Sequence, residues 1–153
     1  MSFADLTLLE KQGRVTPKDD KTNIFLDFNV PNGVEKLIID YSYSPKTVEN
    51  RAEAVKLISE GLEKYLGKDN NENPLDYLPV KNLITLSLDS NGNYRGAAHR
   101  QDDVQHHEIS KDFASNGFLK GKIESGVWRV VLNVHCCACE VSYSLKVSGE
   151  AEV

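Results

Sequence analysis

Two short stretches concentrate the residue types that could do chemistry. The first is Arg95-Gly96-Ala97-Ala98-His99-Arg100. A guanidinium forks onto carboxylate or phosphate, and an imidazole beside it can titrate or hydrogen-bond. Arg95, His99 and Arg100 are therefore candidate binding residues for a sugar or an anionic metabolite. Gly96, Ala97 and Ala98 leave the backbone open to close approach, which a ligand or a packed neighbour would use equally. The competing assignment makes Arg95 structural, paired with an internal carboxylate, with His99 and Arg100 the more exposed pair.

The second stretch is His135-Cys136-Cys137-Ala138-Cys139. Cys136 and Cys139 have C-x-x-C spacing, which can present two thiolates to zinc, with His135 as a third ligand. A structural zinc site usually draws on two such knuckles, and only His99, His106 and His107 remain to complete this one. A thioredoxin-like role suits the motif less, since that chemistry belongs at a helix N-terminus and this segment lies between strands. Free cysteine commonly behaves as a small buried hydrophobe. The expectation is a turn without a cofactor, with zinc at His135, Cys136 and Cys139 as the alternative.

Other chemistry-bearing residues fit no constellation. His106 and His107 are neighbours on an expected strand, so they point to opposite faces and cannot easily grip one metal. Asp102 and Asp103 read as solvated loop acids. Ser42, Ser44, Ser87 and Ser110 have no G-x-S-x-G elbow, and Gly117-Phe118-Leu119-Lys120-Gly121 lacks the spacing of a phosphate loop.

The elements that must position these residues read mainly as strands. A strand is expected over Val80 to Asp89, alternating with Ile84, Leu86 and Leu88 on one side and Leu83, Thr85 and Ser87 on the other. The Asn91-Gly92 pair that follows is a hairpin turn signal. Val127 to Val134 is a second strand, fenced by Ser125-Gly126. Further strands are expected over Leu6 to Val15, Ile24 to Val30, Val34 to Tyr43, Tyr94 to Ala98, His106 to Ser110, Phe118 to Leu119 and Glu140 to Val147. Trp128 should lie between the sheets, its N–H seeking one acceptor.

One segment breaks the pattern. Ala54, Val55, Ile58, Leu62, Tyr65 and Leu66 recur at helical spacing, with Asn50 and Glu53 resembling a capping box and Gly67 a C-terminal stop. This predicts an amphipathic helix over about 51–66 that lays its apolar stripe on the sandwich. Eight or nine short strands with one inserted helix favour a two-sheet antiparallel β-sandwich of jelly-roll type, in a single domain over residues 1–153.

The chain has 153 residues, 40% hydrophobic and 27% charged, which is ordinary globular composition. Its formal net charge of −5 argues against nucleic acid as a partner. The first fifteen residues lack a basic region and an apolar core, and no run reaches transmembrane length, so neither a signal peptide nor a membrane is expected. Three crowded cysteines suit a reducing compartment, and a cytoplasmic location is expected.

Four pieces carry a family resemblance: FNVPNGVEKLIIDYSYSP from Phe28, NLITLSLD, NGNYRGAAHR, and NGFLKGKIESGVWRVVL. Together they resemble the β-sandwich domain that precedes the catalytic domain in PHP-type metallohydrolases of the CehA/McbA-like kind. The corresponding family pieces read F-x-V-P-x-G-V, L-x-L-x-L-x-D-x-x-G-x-x-R-G and P-G-[FY]-L-x-G-x-[IL]-x-x-G-x-W-x-V-x-L. The likeness spans roughly residues 20–147, and it departs where Asn116-Gly117 stands for the family's Pro-Gly. What it implies is the sandwich fold. Hydrolase activity is not implied, because the catalytic domain binds its metals through an H-x-H motif and further ligands, and this chain has four histidines and no H-x-H. The expectation is a non-enzymatic, stand-alone accessory β-sandwich acting in protein interaction or assembly, with a protein partner or a homo-oligomer. A small-molecule ligand at the Arg95–Arg100 cluster is the alternative.

Overall fold

A computed structural model describes residues 3–99 and 102–152. Among the described residues there are eight strands: β1 (Phe3–Val15), β2 (Asn23–Val30), β3 (Val34–Ser44), β4 (Leu83–Ser90), β5 (Asn93–Ala98), β6 (Val104–Ser110), β7 (Gly126–Cys136) and β8 (Val141–Glu152). They form two four-stranded sheets, ordered β1-β8-β3-β6 and β2-β7-β4-β5.

This order is one long hairpin rolled up. From its tip, β4 pairs β5, β3 pairs β6, β2 pairs β7 and β1 pairs β8, all antiparallel. Rolling then adds the contacts β3·β8 and β4·β7 that complete each sheet. The result is a jelly roll. Its tip is the Asn91-Gly92 turn, where both residues take positive φ, 49° and 85°. Two successive left-handed residues give the turn a twist that matches the flanking strands.

The core lies between the sheets and is built by period-2 alternation. Ile84, Leu86 and Leu88 from β4 meet Leu37, Ile39 and Tyr41 from β3, all essentially without solvent contact. Trp128 is fully buried at the start of β7, and its Nε1 donates to the Glu124 carbonyl at 2.8 Å. That matches the expected packing between the sheets.

Helix α1 (Arg51–Leu66) occupies the expected range, and the Asn50 side chain accepts from the Glu53 amide at 2.9 Å. Its packing differs from the expectation. Ala54 is the helix's one buried residue, while Val55, Ile58 and Leu62 are half-exposed and Tyr65 and Leu66 are exposed. The apolar stripe faces the 3-10 turn Pro74–Tyr77 rather than the sheets. The reason lies in how the insertion is attached. Its two ends are tied together by the Thr47–Lys81 bridge, with bonds from Val48 N to Val80 O and from Asn82 N to Lys46 O. The segment between can project from the sandwich without breaking any sheet contact.

The expected short strand near Phe118 is a single bridge to Gly96 within the 111–125 connection. That connection covers two sheet edges. Ala97 N donates to Gly117 O and Leu119 N to Arg95 O along β5, while Ser115 N donates to Glu108 O and Gly121 N to Ser110 O along β6. Phe118 and Ile123 are buried beneath it. The approach at Gly96 and Gly117 is so close that a Cβ on Gly117 would stand 2.1 Å from the Ala97 carbonyl oxygen.

Candidate functional site

The topology separates the residues of the Arg95–Arg100 stretch. Arg95 lies early in β5, whereas His99 follows its last residue, and four residues of extended chain span about 13 Å. His99 is exposed. Arg100 falls outside the described residues.

Arg95 is half-buried, and its guanidinium serves the fold. Nε and Nη2 donate to the Leu119 carbonyl at 3.3 and 3.1 Å, Nη1 to Lys122 at 3.2 Å, and Nη2 also to Gly121 at 3.2 Å. The same plane lies 5.0 Å from the Trp128 ring centroid, a cation–π contact that shields the indole. Burial lowers the Arg95 pKa, against a smaller raising effect from Glu124. Arg95 thus has the structural role weighed against ligand binding, with different partners. Carbonyls of the 119–122 segment take the place of the expected carboxylate. The intervening small residues admit the 111–125 connection, so close approach here serves a packed neighbour.

The cysteine turn joins β7 to β8. The Cys137 amide donates to Asp20 Oδ1 and the Ala138 amide to Asn82 Oδ1, both at 2.8 Å. Asn82 Nδ2 donates to the Pro45 carbonyl at 2.9 Å and approaches Cys139 Sγ at 3.4 Å. His135 Nε2 lies 2.8 Å from Thr85 Oγ1. The alternation of β7 turns the exposed His135 away from the thiols' side. Among the described residues no group of three His, Cys, Asp or Glu side chains stands close enough to hold a metal, so His135, Cys136 and Cys139 are not drawn into one ligand set. Burial, helped by Asp20 and neighbouring sulfurs, raises the Cys136 thiol and pushes Cys137 up to about 11. Thiols so shifted stay protonated near neutrality and are poor nucleophiles.

The two neighbouring histidines separate as the strand period requires. His107 is buried, with Nε2 2.8 Å from Gln105 Oε1 and its ring 4.8 Å from that of Phe118. His106 is exposed on the outer face of the first sheet. The register aligns Glu10, Lys146, Asp40 and His106 across β1, β8, β3 and β6, a row of alternating charge. His106 Nδ1 lies 2.6 Å from Asp40 Oδ1, and Nε2 lies 3.6 Å from Glu108, which Lys36 also contacts. The hydrogen bond to Asp40 chiefly raises the His106 pKa, with a smaller opposing effect of burial. A raised folded-state pKa means the stabilisation is complete below His106's ordinary value of about 6.5 and is lost as pH rises through the elevated one. An NMR titration should place the His106 midpoint above 6.5, and Asp40→Asn should return it towards that value. An unshifted wild-type midpoint would contradict the pairing.

A concave region of about 960 Å³ lies at the opposite end of the sandwich from the cysteine turn. Lys36, Lys111 and Lys122 interleave there with Glu35, Glu124 and Glu150. Both charge signs are mixed, so its lining selects for no single class of ion.

The residues thus define a jelly-roll module whose polar side chains hold its loops together, and whose inserted helix and adjoining turn expose Tyr65, Leu66, Leu75 and Tyr77. No protein-family model and no curated protein matches this chain. No helix among the described residues is long and apolar enough to cross a membrane.

Proposed function

We propose that this protein is a non-catalytic jelly-roll module that acts by contact with another protein chain, and that the inserted helix and its 3-10 turn form the contact element. The observation that carries this reading is the apolar surface of the insertion. Tyr65 is 76% and Leu66 56% exposed, and Leu75 and Tyr77 lie exposed on the adjoining turn. Contiguous apolar surface rimmed by polar residues marks interaction sites. The rim charges answer one another, Lys56 to Glu60 and Lys68 to Glu63. The remaining charges of the helix and turn are mostly acidic, Glu53, Asp69, Glu72 and Asp76 against Arg51 and Lys64, so the complementary chain presents an apolar strip without an acidic excess of its own. The resemblance of residues 20–147 to a sandwich that accompanies a catalytic domain supports a role in serving another chain.

Placing a photo-crosslinking amino acid at Tyr65 tests this. The expected result is one discrete heterologous adduct, lost in Leu66→Glu/Tyr77→Glu, whose surface changes should leave the melting temperature within a few degrees. A diffuse set of adducts, or a discrete one that survives the double substitution, would sink the reading.

A further inference from the structure

The four sheet edges are treated very differently. The 111–125 connection covers part of β5, at Arg95 and Ala97, and part of β6, at Glu108 and Ser110. β1 carries a bulge between Thr7 and Leu9 and a charged row, Asp5, Glu10, Lys11 and Arg14, both of which blunt an edge against pairing. β2 has neither device. It runs Asn23-Ile24-Phe25-Leu26-Asp27-Phe28-Asn29-Val30 without proline, glycine, lysine or bulge, as the end strand of its sheet.

The register shows which backbone groups face outward. Val134 N donates to Thr22 O, in step with the pairs Ile24↔Leu132, Leu26↔Val130 and Phe28↔Trp128. Those even-numbered residues therefore exchange bonds with β7, and by the antiparallel alternation Asn23, Phe25, Asp27 and Asn29 direct their N–H and C=O groups away from it. Their side chains are all exposed, Phe25 at 57%.

We propose that this edge pairs with itself, joining two copies antiparallel, β2 to β2, about Leu26. This rests on reading the chain as an interaction module, but it uses a surface apart from the helix. Under such a two-fold axis Asn23 meets Asn29 of the second copy and Phe25 meets Asp27. All four outward residues then form bonded pairs, making about eight backbone hydrogen bonds. The strand reads nearly the same in polarity from either end, with Asn at 23 and 29 and apolar residues at 24 and 28.

The charges also match. Arg129 binds Asp27 through Nε at 2.6 Å and Nη2 at 3.2 Å, and its guanidinium lies 5.1 Å from the Phe25 ring centroid. In the pair, each Asp27 faces a Phe25 that carries the other copy's guanidinium. Two carboxylates thus lie among two guanidiniums, and the lone acid on the edge, which would otherwise repel its copy, becomes part of the seam.

Sedimentation equilibrium over a concentration series should show a reversible monomer–dimer equilibrium. Amide exchange at Phe25 and Asp27 should slow as concentration rises, while Leu26, already bonded to β7, stays unchanged. Asp27→Pro removes an outward N–H and leaves the β2–β7 ladder intact, so it should abolish dimerisation with little change in melting temperature. If that variant folds poorly, Asp27→Lys gives a second test, placing four cations on the seam and again yielding monomer. A wild-type chain that stays monomeric at every concentration would overturn the proposal, as would a dimer that survives both variants. Loss of the dimer in Leu66→Glu/Tyr77→Glu would also overturn it, by moving self-association to the helix. The Tyr65 crosslink should persist in Asp27→Pro, so failure at either surface is read separately.

Discussion

Replacing Trp128 by Ala should lower the unfolding free energy by about 3–5 kcal/mol, the range for removing a large aromatic side chain from a packed core. Trp128 is the largest fully buried side chain and stands where β7 emerges from the 111–125 connection. The substitution opens a cavity between the sheets, frees the Glu124 carbonyl from its indole donor, and takes away the ring on which the Arg95 guanidinium lies. The connection should therefore loosen together with the core. Urea titration followed by circular dichroism measures the loss, and native Trp128 emission should be blue-shifted before unfolding. A cost below about 1 kcal/mol, or a red native emission, would show that the indole is not the core anchor described here.

The strands were legible because burial on one face writes a period of two into the sequence. Ile84, Leu86 and Leu88 could be assigned inward from spacing alone, and Asn91-Gly92 announced the hairpin tip around which the jelly roll is wound. The limits of α1 were equally readable, because Asn50 and Gly67 are local signals with local causes. The helix's destination was not, since periodicity says that one face is apolar but not what covers it. Arg95 shows the same limit from another side. Its structural role was foreseeable, but its partners are backbone carbonyls of residues 119–122, and a carbonyl carries no residue-type signature. The bonding state of an edge is likewise invisible in composition. Asn23 to Val30 reads as an ordinary strand until the register shows which of its amides face outward.

Asn82→Leu should cost about 2–4 kcal/mol, although the asparagine looks in the sequence like any polar residue opening a strand. It is fully buried. Its Oδ1 accepts from the Ala138 amide and its Nδ2 donates to the Pro45 carbonyl, while its own carbonyl receives Lys46 Nζ at 2.8 Å. One side chain therefore ties the base of the helical insertion to the cysteine turn. Leucine fills a similar volume but offers neither donor nor acceptor, leaving two part-buried backbone groups, the Ala138 amide and the Pro45 carbonyl, without their side-chain partner. Each such group costs about 1–3 kcal/mol. The effect should be local before it is global. Amide exchange at Ala138 should accelerate more than in the core of β4, and Cys136 and Cys137, whose raised pKa should make them slow towards disulfide reagents in the wild type, should react faster as the turn loosens. If Asn82→Leu stays within 1 kcal/mol of the parent and Ala138 remains protected, the turn is held by Asp20 and the sulfur contacts instead. The insertion's base would then be held by its backbone bonds, Val48 N to Val80 O and Asn82 N to Lys46 O.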